Sequence, residues 1–502
     1  MATIRKSAVR GRVNNPLNIK VHRGTHQIGG CVTEYEYDGW HLFVDYGEEL
    51  PGSPKSGDLQ VECLTHGDLS KSALLITHYH GDHIGCIPKL PKDLPIFMGK
   101  VGRDIQMELS DHLKLVDGVH QEMLDRLQTV KTFEPGKQFE WGDFKIMPVT
   151  VDHSAFDAYA FKIEADGVSA FHTGDFRTHG FRSSKLSEVI EKFVGEVDYV
   201  VCEATNVARP NAASQPEHDL QKEYQDLFTK NNANIVYVSS TNIDRLFGLY
   251  HAARNAGRVF IIDKYQKRMM DIATQRDSMW GKSKLYKFKD NYEPFILSIV
   301  NGEFWMNDKF EALLKDKGYV LIARSNPRFD NFIAAIHGEK QTYLSMWDGY
   351  VNSDMAAFNE KLAHSLGDSF LYKHTSGHCD MNSLHDVFRL LHPKALIPIH
   401  TDAPEKFAEL FSDEWPVILL DDGDGIAPIS ESIADAYYAM VMCGKRIRRC
   451  VGYMGSKEDA LSILSHTVFH PDKQTKYEII EEEDMTSYKR EEGLLSSLKI
   501  SE

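Results

Sequence analysis

The sequence predicts a mixed α/β chain, a two-layer or sandwich arrangement of strands and helices with a second α/β domain inserted into it. Three observations predict this. Strands joined by tight turns come first and are followed by strands with interleaved helices, the order of a layered mixed fold. From Ala204 to about Phe370 strands and helices alternate in βαβ fashion, which makes a parallel sheet of its own. Polar clusters rich in histidine and aspartate sit at strand ends both before and after that stretch, so the flanking segments read as two parts of one unit.

The first strands read as Ile19–Arg23, Cys31–Tyr37 and His41–Tyr46, with Asp38-Gly39 as a hairpin turn and Asp45 as a carboxylate able to support a polar site. The apolar run Ala73–Ile76 is a buried strand. It leads into Thr77-His78-Tyr79-His80-Gly81-Asp82-His83, the densest group of metal-ligand side chains in the sequence. His78 and His80 are two apart and point the same way on an extended segment. Gly81 lets the chain turn and aim Asp82 and His83 elsewhere, a pattern suited to two metals. The alternative, a polar loop whose histidines cap a helix, leaves four ligands unused.

A short helix is expected over Ile84–Leu90, a strand at Pro95–Met98 and a helix over Val101–Leu115. Phe139–Ile146, Val149–Asp152, Tyr159–Ala165 and Ser169–His172 read as strands, presenting His153 and Asp175 just beyond their ends. The buried strand Asp198–Glu203 ends in the acid Glu203.

In the inserted stretch, Pro216–Lys230 and Ile243–Ala256 read as helices. Ala233–Ser239, Arg258–Ile262, Tyr319–Arg324 and Gln341–Met346 read as strands. Arg245, Arg254, Arg258, Lys264, Lys267 and Arg268 are candidate phosphate contacts, against the reading of a solvated helix face. The strand-end pattern then returns in His374-Thr375-Ser376-Gly377-His378-Cys379-Asp380. The helix Asn382–Leu391 follows, then the strand Ala395–Ile399 ending in His400. Val417–Leu420 and Ile426–Ile429 read as a last hairpin, and Ala434–Met442 as a helix in a tail with one basic and one acidic run. The division expected is 14–206 and 371–430 for the two parts of the first domain, 207–370 for the insert and 431–502 for an appendage.

Composition narrows the function. The chain has 502 residues, 42% hydrophobic and 26% charged, enough for two to four globular domains. A net charge of −16 argues against a broad basic coat for nucleic acid and leaves room for a narrow basic channel. No apolar run reaches membrane-spanning length, so no membrane association is expected. The first thirteen residues carry Arg5, Lys6, Arg10 and Arg12 with no apolar region behind them, a basic arm rather than a secretory signal. Seven cysteines without a CxxC pair imply free thiols in a reducing compartment, hence a cytoplasmic location. Cys86 and Cys379 lie near histidine clusters but read as small buried apolar residues.

His78-Tyr79-His80-Gly81-Asp82-His83 resembles the HxHxDH signature of the metallo-β-lactamase superfamily. Asp152-His153-Ser154, His172-Thr173-Gly174-Asp175 and Ile397-Pro398-Ile399-His400 resemble its later metal-binding motifs. The insert and Ser376-Gly377-His378 resemble the β-CASP branch. Within it, His374-Thr375-Ser376-Gly377-His378 and Ile397-Pro398-Ile399-His400 look most like ribonuclease J, and Val238-Ser239-Ser240-Thr241-Asn242-Ile243-Asp244-Arg245 resembles that family's insert. The departures are Thr401-Asp402 after His400, Asp244 in the insert, and a tail after residue 430 that does not match the family's C-terminal domain.

The resemblance implies an αββα sandwich with an inserted α/β β-CASP domain. It implies two zinc ions, one held by His78, His80 and His153, the other by Asp82, His83 and His400, with Asp175 bridging. It implies cleavage of single-stranded RNA, exo- or endonucleolytic, by a metal-bound hydroxide. Asp82, Glu203 and His378 would be catalytic, and His374, Ser376 and Gly377 would bind substrate phosphate. DNA is the alternative substrate. A small-molecule ester or lactone hydrolase and a noncatalytic scaffold are the other readings, and a homo-oligomer is left open.

Overall fold

The computed structural model describes residues 17–50, 57–115, 118–209, 214–274, 284–289, 291–352, 359–367 and 369–426, and the strands at 437–443, 446–454, 467–468 and 475–481. The basic arm at 1–13 lies outside the described residues. Two mixed sheets face each other. One runs in the order Gly425–Ile426, Asn18–Arg23, Val32–Tyr37, Trp40–Val44, Ser72–Leu75, Ile96–Gly99, Lys131–Phe133. The other runs Thr467–Val468, Val417–Ile418, Ala395–Ile399, Tyr199–Glu203, Val168–His172, Ala158–Ala165, Phe144–Val151, Phe139–Trp141.

Strand alternation builds the core between them. Asn18–Arg23 buries every second residue, and its Ile19 and Val21 meet Phe161, Ile163, Val201 and Ile397 from the facing sheet. The helices Lys100–Leu113 and Gly118–Leu127 pack outside the first sheet. Leu186–Phe193, Met381–Leu391 and Pro404–Phe411 pack outside the second. The layers are therefore helix, sheet, sheet, helix, the αββα sandwich that the sequence resemblance implied.

The inserted α/β unit is a parallel sheet in the order Phe295–Ile296, Val259–Ile262, Tyr319–Ala323, Ala233–Tyr237, Gln341–Leu344, Leu371–Tyr372. Its central strands are apolar except for Asn234, which is hydrogen-bonded to Tyr319 and Tyr343, as burial on both faces requires. Helices Glu217–Lys230, Ile243–Asn255 and Lys264–Thr274 cover one face and merge with the sandwich's outer core. Asp308–Lys317, Pro327–Ala335 and Glu360–Leu366 cover the other.

Several expectations are corrected. The helix over Ile84–Leu90 is two short pieces, Gly81–Ile84 and the 3-10 turn Ile87–Lys89, split at Gly85-Cys86 with Pro88 in the second. Phe139–Ile146 is not one strand but a hairpin turning at Gly142, whose φ of 57° is left-handed. Val417–Ile418 and Gly425–Ile426 are not a hairpin. They lie in opposite sheets, and the aspartate-rich loop between them crosses the sandwich, held where Asp422 accepts from Thr25. Residues 437–442 are strand, not helix. Tyr437–Cys443 is the centre of a three-stranded antiparallel sheet with Arg446–Met454 and Thr475–Glu481, in keeping with its aromatic and valine content. The basic run falls on Arg446–Met454. The acidic run begins where Thr475–Glu481 ends, and its remainder is outside the described residues. Among the described residues no helix is long and apolar enough to cross a membrane.

Candidate metal centre

The strand Ser72–Leu75 delivers His78 and His80 at its carboxyl end, and the helical turn Gly81–Ile84 delivers Asp82 and His83. Backbone hydrogen bonds pin this turn. Gly30 N–H donates to the Asp82 carbonyl, Tyr46 N–H to His83 and Glu48 N–H to Gly81, each at 2.9 Å. Gly47 makes the approach possible, since a Cβ there would fall 1.7 Å from the Asp82 carbonyl oxygen.

Five overlapping groups of ligand atoms result among the described residues, the atoms of each lying within 4.8 Å of one another, and two of them, His78-His80-His153 and Asp82-His83-His400, share no residue. In the first, His80 Nδ1 lies 3.1 Å from His78 Nε2 and 3.2 Å from His153 Nε2. In the second, Asp82 Oδ2 lies 3.3 Å from His400 Nε2 and 3.8 Å from His83 Nε2. Asp175 Oδ2 stands between them, 3.2 Å from His83, 3.7 Å from His400 and 3.9 Å from His153. All seven sequence-predicted metal ligands are thus brought together, from strand ends of both sheets.

The outward ring nitrogens are anchored, which fixes the inward ones. His153 Nδ1–H donates to the Gly377 carbonyl at 2.6 Å, leaving Nε2 with a lone pair for the centre. His83 Nδ1 faces the Asp45 carboxylate at 2.7 Å, and Asp45 is itself fixed by the N–H and hydroxyl of Thr77. His400 Nδ1 lies 2.8 Å from the Thr205 hydroxyl. Burial, reinforced by neighbouring imidazoles, pushes His78 and His153 well below the usual histidine range. Burial likewise takes His80 down to about 4, so this trio is neutral, the form that ligates metal. Burial opposes the charge of Asp175, yet His400, His83 and His378 hold its carboxyl well below the carboxylate range. Burial also opposes charge on His83, but the carboxylates of Asp175, Asp82 and Asp45 raise it well above normal. A surplus of carboxylate drawing protons onto neighbouring imidazoles, beside neutral buried nitrogens, is a donor set that fits divalent metal ions.

His378 and Glu203 adjoin the centre. His378 Nδ1 is 3.4 Å from Glu203 Oε2 and 3.7 Å from Asp175 Oδ2, yet it is buried without a hydrogen bond. Burial works against its charge, but Glu203 and then Asp175 carry it up to about 9. Glu203 is positioned by N–H donors from Cys379 and Thr205. Cys379 is buried, and its thiol is in none of the ligand groups found among the described residues. Ser376 Oγ accepts from His378 N–H at 3.1 Å and from Asn206. Gly377 is pressed on Ser154, where a Cβ would fall 2.7 Å from Oγ. His374 stands apart from the ligand groups, beside Arg245 and Tyr372. Burial and the Arg245 charge push its ring down to about 3.

Behind His153 lies an ionic network that no local sequence pattern announces. Arg177, fully buried, pairs with Asp152 at 2.8 Å and Glu217 at 2.7 Å. Arg182 joins Asp244 at 2.9 Å and donates to the His153 carbonyl. Arg245 pairs with Glu217 and Ser345, and Tyr286 donates to Asp244. The network ties the Asp152-His153 loop to the helices of the inserted sheet. It also overturns Arg245 as a phosphate contact, because that side chain is consumed in the interior. Arg258 is likewise spent on the carbonyls of Phe228, Thr229 and Lys317, and Lys267 and Arg268 pair with Asp271 and Glu108.

Comparison with known proteins agrees with this geometry. Residues 66–224 match the Beta-lactamase superfamily domain. Ribonuclease J of Mycoplasma genitalium is 24% identical over 413 residues, covering 77% of this chain and 68% of its own. Ribonuclease J of Sinorhizobium meliloti is 23% identical over 412 residues, with 76% and 68% covered. A crystal structure of a protein of unknown function from Enterococcus faecalis shares the fold. It has a TM-score of 0.63 and 22% identity, covering 82% of this chain and 99% of that one. The chain is therefore a metallo-β-lactamase-fold protein, ribonuclease J-like in sequence along most of its length.

Proposed function

We propose that the protein is a zinc-dependent phosphodiester hydrolase that cleaves single-stranded RNA. The observation that carries this reading is the convergence of two ligand groups on one carboxylate oxygen, Asp175 Oδ2. Similarity to proteins named ribonuclease J supports RNA as the substrate and hydrolysis as the reaction. His78, His80 and His153 would hold one zinc ion, Asp82, His83 and His400 the other, and Asp175 both. Bound there, two such ions supply Lewis-acid neutralisation of the phosphate and an acidified water.

The chain's own groups do the remainder. Asp82 orients the attacking water. The leaving oxygen receives its proton from His378, whose ring is partly open to the cleft and whose Nδ1 side faces Glu203. Glu203 selects the tautomer of that ring. Ser376 and Gly377, on the turn before His378, donate to phosphate oxygens, and His374 assists from behind. Cys31, Cys63, Cys86, Cys202 and Cys379 are free thiols, which suits the reducing cytoplasm.

The test is elemental analysis of the purified protein, together with cleavage of end-labelled single-stranded RNA beside DNA of the same sequence. Substrates with and without a 5′ monophosphate separate exonucleolytic from internal cutting. Expected are two zinc ions per chain and RNA cleavage that is lost in His80→Ala and His400→Ala. Full cleavage by both variants would overturn the reading. Cleavage of DNA alone would make it a DNA nuclease, and turnover of a small ester alone a small-molecule hydrolase.

A further inference from the structure

We propose that Trp347, Tyr372 and Arg209 form a nucleotide subsite at the mouth of the cleft, in which an unpaired RNA base stacks on the aromatic rings while Arg209 pairs with its phosphate. This rests on the reading of the protein as an RNA-cleaving enzyme.

Exposed aromatic rings are the starting point. Trp347 is 41% exposed and Tyr372 43%, among the few large apolar side chains left in solvent. They share one end of the inserted sheet. Trp347 follows the strand Gln341–Leu344, and Tyr372 ends the neighbouring strand, which pairs with it in parallel through Leu344↔Tyr372. The carboxyl edge of a parallel sheet is where open α/β folds bind ligands.

The Trp347 ring is held firmly. A Cβ on Gly349 would fall 2.2 Å from the Trp347 indole, so the indole lies against that glycine. Its other neighbour is Tyr350, at 5.6 Å between ring centres and edge-on. A rigid aromatic surface stacks a base at little entropic cost.

The patch adjoins the segment that leads into the catalytic turn, since the Tyr372 ring centre lies 6.1 Å from that of His374. From Tyr372 the chain runs through Lys373, His374, Thr375, Ser376 and Gly377 to His378, a span of about 20 Å at most. Arg209 completes the subsite. It is exposed and donates to Asn206 Oδ1 at 3.0 Å. Asn206 in turn holds Ser376 and the carbonyls of His378 and Cys379. In a chain of net charge −16, a cation held beside the catalytic turn is where a phosphate would be tolerated.

The experiment is equilibrium binding of a fluorescent single-stranded oligoribonucleotide with hydrolysis-resistant phosphorothioate linkages. It compares wild type, Trp347→Ala, Trp347→Phe, Tyr372→Ala and Arg209→Ala, with thermal melting as the folding control. Expected is a Kd raised about 10-fold or more by Trp347→Ala and largely restored in Trp347→Phe. Arg209→Ala should flatten the slope of log Kd against log salt by about 0.7. An abasic residue walked along the strand should weaken wild type at one position and leave Trp347→Ala unchanged there. Unaltered affinity, salt slope and abasic profile in folded variants would overturn the subsite while leaving the nuclease reading intact. No RNA binding by wild type would overturn both.

Discussion

Asp45 Oδ2 lies 2.7 Å from Nδ1 of His83, on the side of the ring away from Asp82 and Asp175. Asp45 adopts a left-handed backbone, φ 61°, to reach it, and His400 does the same with φ 54°. Non-glycine residues in that region cost about 1–3 kcal/mol each. Asp45→Ala should therefore leave the fold in place but weaken zinc affinity by about 10- to 100-fold. Titration against a chromophoric chelator reads this directly, and unchanged affinity would deny Asp45 its supporting role.

Gly47 allows no side chain, because its Cβ position coincides with the Asp82 carbonyl. Gly47→Ala must displace the turn that carries Asp82 and His83. Metal content of the purified variant should fall well below that of wild type, with a lower Tm. Full metal content would mean that the turn can shift without losing the centre.

The Arg177, Arg182 and Arg245 network is balanced by three buried acids, Asp152, Glu217 and Asp244. Removing one acid strands a buried guanidinium. Glu217→Ala should cost about 3–5 kcal/mol in denaturant unfolding. A loss under 1 kcal/mol would mean that water reaches the network.

Glu34 lies between His22 and His41, 2.6 Å from each, on an inner strand of the first sheet flanked by the strands that carry the two histidines. Burial opposes its ionisation, but hydrogen bonds from both histidines bring its carboxyl down to about 2. The same carboxylate raises His41 above its usual value. Glu34, depressed on folding, contributes stability that is complete above about pH 4.5 and is lost as pH falls through about 2. His41, raised on folding, contributes stability that is complete below about pH 6.5 and is lost as pH rises through its folded value. The cluster therefore stabilises most between about pH 4.5 and 6.5. Glu34→Gln should cost about 1–3 kcal/mol at pH 5.5 and less at pH 9, read from unfolding curves at the two pH values. An equal cost at both would remove His41 from the account.

Much of this was legible because it is local. The apolar run before His78, the spacing of His78 and His80, and Gly81 as a turn depend on a few adjacent residues. Asp45 was readable as a strand-end acid. Helix and strand order in the insert followed from periodicity, and its all-parallel sheet from βαβ alternation. What depends on distant partners was not legible. Thr205 behind His400 and the Gly377 carbonyl behind His153 carry no sequence signal. Arg245 reads on its helix as a surface cation because nothing nearby announces Glu217. Ala434–Met442 reads as a helix until the two antiparallel partners of Tyr437–Cys443 are known.

The Thr375 hydroxyl donates to the Gln215 carbonyl at 2.6 Å, so two residues 160 positions apart are drawn to a point. Everything between them forms a closed bight, and the strand Tyr199–Glu203 resumes its crossover through Met381–Leu391 to Ala395–Ile399 almost as if the bight were absent. The contact between Asp82 and His400 spans 318 residues. Folding the bight first takes 160 of these out of the loop, roughly a halving, which is worth only about 0.6 kcal/mol of closure entropy. The insertion therefore weighs little on the stability of the metal centre and much on its timing. A chain whose insert folds early has a short search left, and one whose insert lags leaves His400 far from its partners.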